Sequence, residues 1–121
     1  MRACVGRMLR GFAFAACLTS FAAAAAEFVP GVDDLPLMPG LEANAAASTA
    51  FETPTGRIVE AEAQGRGVSE AEVRRFYAGT LPALGWKRVD DRRYDRAGER
   101  LSLGFAQRQG QLVVRFDIRP R

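Results

Sequence analysis

Three serines lie beyond residue 26, Ser48, Ser69 and Ser102, and each would need a base to act as a nucleophile. The chain holds no histidine, which removes the commonest general base and the commonest metal ligand. Lys87, the single lysine, is the one alternative base for a serine. Ser69 stands three residues before Glu72, as a helix cap does, and Ser102 falls on the polar side of an alternating stretch. Two acidic pairs come next, Asp33-Asp34 and Asp90-Asp91. General acid–base work needs two carboxyl groups facing one site with separated pKa values. Neighbours on an extended chain point opposite ways, so neither pair makes such a site alone. Asp90-Asp91 ahead of Arg92-Arg93 reads as a turn.

Metals and cofactors find little to hold them. Cys4 and Cys17 both precede residue 26, so the rest of the chain offers no thiol for a disulfide, a nucleophile or a transition metal. Neither acidic pair has the alternating Asp-x-Asp spacing of a calcium loop. Gly65-Arg66-Gly67 lacks the third glycine of a phosphate-binding turn, and Glu70 and Glu72 at the following helix start would repel phosphate. No catalytic residue, metal or cofactor is expected, and the chain reads as a binding protein rather than an enzyme.

Binding residues are easier to nominate. The formal net charge of +3 comes from Arg2, Arg7 and Arg10, because residues 27–121 carry 14 basic and 14 acidic side chains. A neutral chain gives no support to a nucleic-acid partner. The charges are nonetheless split. Residues 27–72 hold nine acids and two arginines, while residues 73–121 hold twelve basic residues and five acids. The basic part is densest at Lys87-Arg88 and at Arg92, Arg93 and Arg96, with Trp86 and Tyr94 interleaved. It either pairs with the acidic half or meets an acidic protein or anionic headgroups. The second candidate is apolar: Val32, Leu35, Leu37, Met38 and Leu41 crowd ten residues punctuated by Pro36 and Pro39. That arm either completes a thin core, docks on another protein, or does both in a strand-exchanged dimer.

The order basic, apolar, small over Met1–Ala26 reads as a secretory signal peptide, cleaved after Ala25 or Ala26. Its apolar stretch of about 16 residues is short for a membrane span. Phe14-Ala15-Ala16-Cys17 loosely matches a lipobox, so a lipoprotein anchored at Cys17 is the alternative and the one route to a membrane. Sixteen arginines to one lysine, with abundant alanine, fit a bacterium with a GC-rich genome and hence a periplasmic address.

These residues need elements to position them. Residues 27–50 show no sustained period and read as an extended arm followed by a flexible or weakly helical spacer. Residues 51–121 read as a small domain. Phe51-Glu52 pairs across the Pro54-Thr55-Gly56 turn with a strand over Arg57–Gln64, whose Val59, Ala61 and Ala63 alternate with Glu60 and Glu62. Ser69 caps a helix whose apolar face carries Val73, Phe76, Tyr77, Leu81 and Leu84, with Pro82 kinking the last turn and Gly85 closing it. Trp86–Val89 starts a strand that continues to Tyr94 after a break. Leu101, Leu103 and Phe105, then Leu112, Val114, Phe116 and Ile118, alternate as a hairpin. The expected fold is α+β, an antiparallel sheet of about four to five strands with one α-helix on one face, in the order β-β-α-β-β-β. Its core should include Phe76, Leu84, Trp86, Leu103, Phe105, Val114 and Phe116. About 70 residues without a disulfide hold only about 3–5 kcal/mol, so the arm or a partner is needed for further burial.

Phe76-Tyr77, Leu81 and Leu84-Gly85-Trp86 followed by a basic hairpin, with the arm Val32–Gly40, resemble small uncharacterised secreted proteins of alphaproteobacteria. The resemblance covers most of residues 27–121 and implies a fold and a compartment, without an activity. The reading is therefore an exported, non-catalytic accessory module of the cell envelope. It acts by protein–protein contact through the 32–41 arm or the basic hairpin, on another envelope protein or a second copy. The alternative is a carboxylate-based envelope hydrolase, which needs two acids in one cleft.

Overall fold

The computed structural model describes residues 27–121. The expected signal peptide over Met1–Ala26 and the alternative lipid site at Cys17 lie outside the described residues. The elements run β1 (Glu42–Ala43), β2 (Thr49–Thr53), β3 (Gly56–Gly65), α1 (Glu70–Thr80), β4 (Lys87–Arg88), β5 (Arg93–Arg96), β6 (Glu99–Arg108) and β7 (Gln111–Pro120). All strand pairs are antiparallel, in the order β1-β3-β7-β6-β5-β4, with β2 also on β3. This is the expected α+β sheet with a single helix among the described residues, and it has seven strands instead of four to five.

The extra strands come from two places. First, the 43–50 stretch is ordered. β1 and β2 share one edge of β3, opposite Gln64 and Gly56 respectively, and the chain bulges between them in a 3-10 turn at Ala45–Ala47. The bulge leaves Glu62 without a strand partner on that side, and small polar residues fill the role. Asn44 N–H donates to the Glu62 carbonyl (2.8 Å), and Glu62 N–H donates to Ser48 Oγ (3.2 Å). Second, Asp90-Asp91 does not interrupt one strand but turns the chain through a hairpin, pairing Lys87 with Asp95 and Arg88 with Tyr94. Asp90 Oδ1 accepts from Arg92 N–H (2.9 Å), the local bond that makes aspartate a turn former.

The hairpin alternation holds in register. Leu101 faces Ile118, Leu103 faces Phe116, and Phe105 faces Val114. With Val59, Ala61 and Ala63 of β3 these form the inner face of the sheet. Ser69 Oγ accepts from Glu72 N–H (3.1 Å) and caps α1 as expected. The helix phase is rotated from expectation. Val73, Tyr77 and Leu81 are the buried stripe, at four-residue spacing, while Phe76 is half-buried with its ring edge-on to Tyr77 at 5.0 Å. Tyr77 in turn meets Phe116 edge-to-face at 5.4 Å. Leu84 and Phe105 are likewise half-buried, whereas Trp86, Leu103, Val114 and Phe116 are core. The α-helix also ends earlier than the spacing suggests. Pro82 has no N–H to continue it, so the chain tightens into a 3-10 turn at Pro82–Leu84, closed by Gly85 at φ +91°.

Glu62 departs from the alternation in another way. It belongs to the outward side of β3 yet is 3% exposed. Asn44 Nδ2 (3.2 Å) and Arg108 (3.3 Å) donate to its carboxylate, so the charge is buried with partners.

Candidate functional site

The apolar candidates turn inward. Residues 29–35 fold back on themselves: Val32 N–H donates to the Val29 carbonyl (3.0 Å), and Val29 N–H to that of Leu35 (2.9 Å). Val32, Leu35, Leu37 and Leu41 are buried in the chain's own core, and Met38 is half-buried against it. Tyr77 holds this segment to the helix. Its hydroxyl donates to the Pro36 carbonyl (2.9 Å) and accepts from Met38 N–H (3.2 Å). Gly65 lets the arm's end come close, because a Cβ there would stand 2.6 Å from the Gly40 carbonyl oxygen. The arm thus completes the core. A docking role would require it to leave that core.

The charged candidates pair within the chain. Arg92 binds Glu70 (2.7 Å) and lies over the Phe105 ring, and Arg93 binds Asp90 (2.6 Å). Arg96 binds Asp34 (2.8 Å), donates to the Leu84 carbonyl (3.1 Å) and stacks on Trp86 at 4.3 Å. The acidic and basic halves also meet at Arg57–Glu99 (2.7 Å) and Arg119–Glu60 (2.7 Å). Asp34, Asp90 and Asp91 of the two acidic pairs are therefore engaged in ion pairs. The interleaved aromatics do not form a stacking platform, since Trp86 and Tyr94 are both buried.

One region stays unsatisfied. Between α1 and the β4–β5 hairpin lies a cleft of about 230 Å³, walled by Arg74, Arg75, Arg88, Asp91 and Tyr94. Ala71 and Ala78 on the helix are too short to fill it. Three guanidinium groups and one carboxylate leave this wall with a net charge of +2. Asp91 neutralises part of Arg74 (2.9 Å). Among the described residues, neither Arg75 nor Arg88 has a carboxylate at ion-pair distance.

Two polar atoms of residues that wall the cleft are closed to solvent and unmatched. Among the described residues, Tyr94 Oη and Arg74 Nε find no hydrogen-bond partner. The nearest carboxylate oxygen to Arg74 Nε, on Glu70, is 3.7 Å away. Tyr94 itself is 0% exposed. Burial pushes its hydroxyl above the ordinary phenol value of 10.0, opposed by the charge of Arg88, so it stays an O–H donor at neutral pH. A buried hydroxyl without a partner costs free energy that folding alone does not return.

Sequence reasoning singled out the dense basic stretch but chose its paired members, Arg92, Arg93 and Arg96. The residues that matter here are Arg88, one strand earlier, and Arg74-Arg75 on the helix. A signal existed in the Asp90-Asp91 turn itself, since a turn there folds the strand back and sets Arg88 opposite Tyr94. No protein-family model matches the chain, and no curated protein or solved structure matches it either.

Proposed function

We propose that the protein is an exported, non-catalytic binding module of the bacterial cell envelope. It meets an acidic partner protein on the side formed by α1 and the β4–β5 hairpin. The observation that carries this is Arg75 and Arg88 in one cleft without acidic partners, while Arg92, Arg93 and Arg96 are neutralised nearby. Unpaired guanidinium groups steer and hold carboxylates at an interface. Export rests on the signal pattern of residues 1–26.

A hydrolase reading is less well supported. It needs two carboxylates across one cleft. The hollow at α1 carries Asp91 alone, and a second at Gly85–Gly98 carries Asp95 alone. Each of these acids is bound to an arginine.

The test uses protein recovered from a periplasmic fraction, where a mature start at Ala26 or Glu27 checks export. Envelope extract is passed over the immobilised wild type and over Arg75→Glu/Arg88→Glu. A protein retained by the wild type, released by salt and lost on charge reversal is the expected result. Equal retention by both forms would overturn the reading.

A further inference from the structure

We propose that the outer edge of β2 is a dimerisation surface, on which the β2 of a second copy of this chain pairs antiparallel about a two-fold axis at Phe51. This goes beyond the surface for acidic proteins and shares no residue with it.

The edge is open and unguarded. Among the described residues, β2 pairs with β3 alone. Thr49, Ala50, Phe51 and Glu52 are exposed. An unpaired strand edge is a template for another strand, and proteins commonly blunt it with charge, proline or shortness. The opposite edge of the sheet is blunted in that way, since β4 is only Lys87 and Arg88. β2 is longer, has no proline, and carries one charge, Glu52, which already faces Arg57 across the β2–β3 pair.

The register fixes which backbone groups are free. The Glu62 carbonyl accepts from Asn44 N–H, and Glu62 N–H donates to Ser48 Oγ, so the even-numbered residues of β3 turn their backbone groups toward this edge. Gly56, Ile58 and Glu60 face Thr53, Phe51 and Thr49, which are therefore bonded inward. The N–H and C=O of Ala50 and Glu52 are left pointing away from β3.

A second β2 matches these groups. With Phe51 on the axis, Ala50 stands opposite Glu52 of the second copy, and the two exchange N–H···O=C bonds on both sides of the axis. Phe51 meets its own counterpart at a non-hydrogen-bonded pair, where side chains come closest and aromatic pairs are favourable. Phe51 is 49% exposed, and Ile58 opposite it is half-buried on the same face, so the pairing covers an apolar row that water otherwise wets. Thr49 meets Thr53, and Glu52 meets Ala50, so no like charges are opposed. The strand is thus compatible with its own reversed sequence, which selects a second copy over a foreign strand.

The test uses protein recovered from the periplasmic fraction, in sedimentation equilibrium up to about 1 mM. A pairing this short lies at the weak end of protein interfaces, so a dissociation constant of roughly 10–500 μM is expected. Glu52→Pro removes an outward N–H and no bond to β3, and should weaken the dimer at least about tenfold. Glu52→Ala keeps that N–H and should dimerise like the wild type. Phe51→Thr retains a strand-forming residue and should also weaken the dimer, which keeps the test open if the proline variant folds poorly. Circular dichroism checks the fold of each. The register has its own readout. On oxidation, Phe51→Cys should cross-link two copies through position 51, because a non-hydrogen-bonded pair about 4.5 Å apart at Cα suits a disulfide. Thr53→Cys faces Thr49 of the second copy and should not cross-link. Peptide mass mapping identifies the linked position. Arg75→Glu/Arg88→Glu should dimerise unchanged, so the edge and the acidic-protein surface fail separately. A monomer at about 1 mM, a dimer indifferent to Glu52→Pro and Phe51→Thr, or a cross-link through Thr53→Cys instead of Phe51→Cys would overturn the proposal.

Discussion

The arm over residues 29–41 and the β4–β5 hairpin with α1 make opposite use of conspicuous sequence. The arm is apolar and its display is consumed by folding. Val32 and Leu35 are 1% exposed, and even its backbone is tied to Tyr77. The hairpin is charged, and its most visible arginines are consumed by neighbouring acids. What survives at the hairpin end is a leftover: two arginines without acids and a buried hydroxyl without a partner. In a small domain, clustered apolar residues are first claimed by the core, because surface is plentiful and burial is scarce. Function is then better sought at what folding leaves exposed and unpaired, a charge or a strand edge.

Truncating the arm is the strongest way to break that comparison. Leu35→Ala should cost about 2–5 kcal/mol, the range for deleting a fully buried leucine. That is comparable to the whole stability of a domain this size. Urea denaturation should therefore show the variant largely unfolded. A stable Leu35→Ala with a released arm would restore the docking role.

Tyr77→Phe sharpens the same side. Losing the hydroxyl leaves the Pro36 carbonyl and Met38 N–H without their partner, at about 1–3 kcal/mol. Hydrogen exchange at Met38 should accelerate more than at amides of β6 and β7. Tyr94→Phe removes a hydroxyl from an equally buried ring and should cost nothing. The two substitutions are chemically identical and differ only in whether the hydroxyl has partners.

Much of the fold was legible, for reasons visible in particular residues. Leu112, Val114, Phe116 and Ile118 alternate over the full width of β7, and a period of two admits one register with a buried face. Ser69 and Glu72 fix the helix start by spacing alone. Phe76 misled, because Val73, Phe76, Tyr77 and Leu81 share a broad apolar arc and only tertiary packing chooses its centre. Tyr77 occupies that centre because its ring reaches Phe116 while its hydroxyl reaches the arm. The 43–50 run, made of alanine with Asn44, Ser48 and Thr49, shows no periodicity, yet Asn44 and Ser48 answer the backbone of Glu62 across the bulge. The cleft was least legible of all, since it depends on which charges remain after every ion pair has formed.

Acid should separate the two regions by a smaller margin. Asp95 is held below its ordinary 3.8 by its bonds to Arg100 and then Arg121, and Asp90 by Arg93 and the Arg92 N–H. A carboxyl group lowered in the folded state contributes stability above its unfolded value. That contribution is lost as pH falls through the lower folded value. The urea midpoint should hold between about pH 7 and pH 5 and decline below about pH 4. Asp95→Asn should flatten part of that decline. The arm is joined by backbone bonds and by Tyr77, whose hydroxyl burial pushes far above neutrality, so its exchange protection should not titrate before global unfolding. Selective loss of arm protection in acid would show that Asp34–Arg96 holds the arm more firmly than its apolar contacts do.

A similarly small effect on stability should come from Asp91→Asn, and it gives the comparison its sharpest edge. Asp91 joins the hairpin to α1 through Arg74 at 2.9 Å, and its side chain is 49% exposed. Exposed ion pairs of this kind contribute about 0–1 kcal/mol, so the melting temperature should hardly move. The same substitution takes the single carboxylate out of the cleft wall and frees Arg74 NH1. An anion at the cleft then meets three guanidinium groups, with Glu70, 3.7 Å from Arg74 Nε, as the nearby carboxylate that remains. Its affinity should rise about threefold to tenfold at low salt and by less at high salt, where screening had already weakened the repulsion. The pair of measurements is a melting curve and a titration with an acidic peptide at two ionic strengths. A fall in affinity would mean that Asp91 serves chiefly to hold Arg74 in place, so that positioning outweighs charge in the cleft.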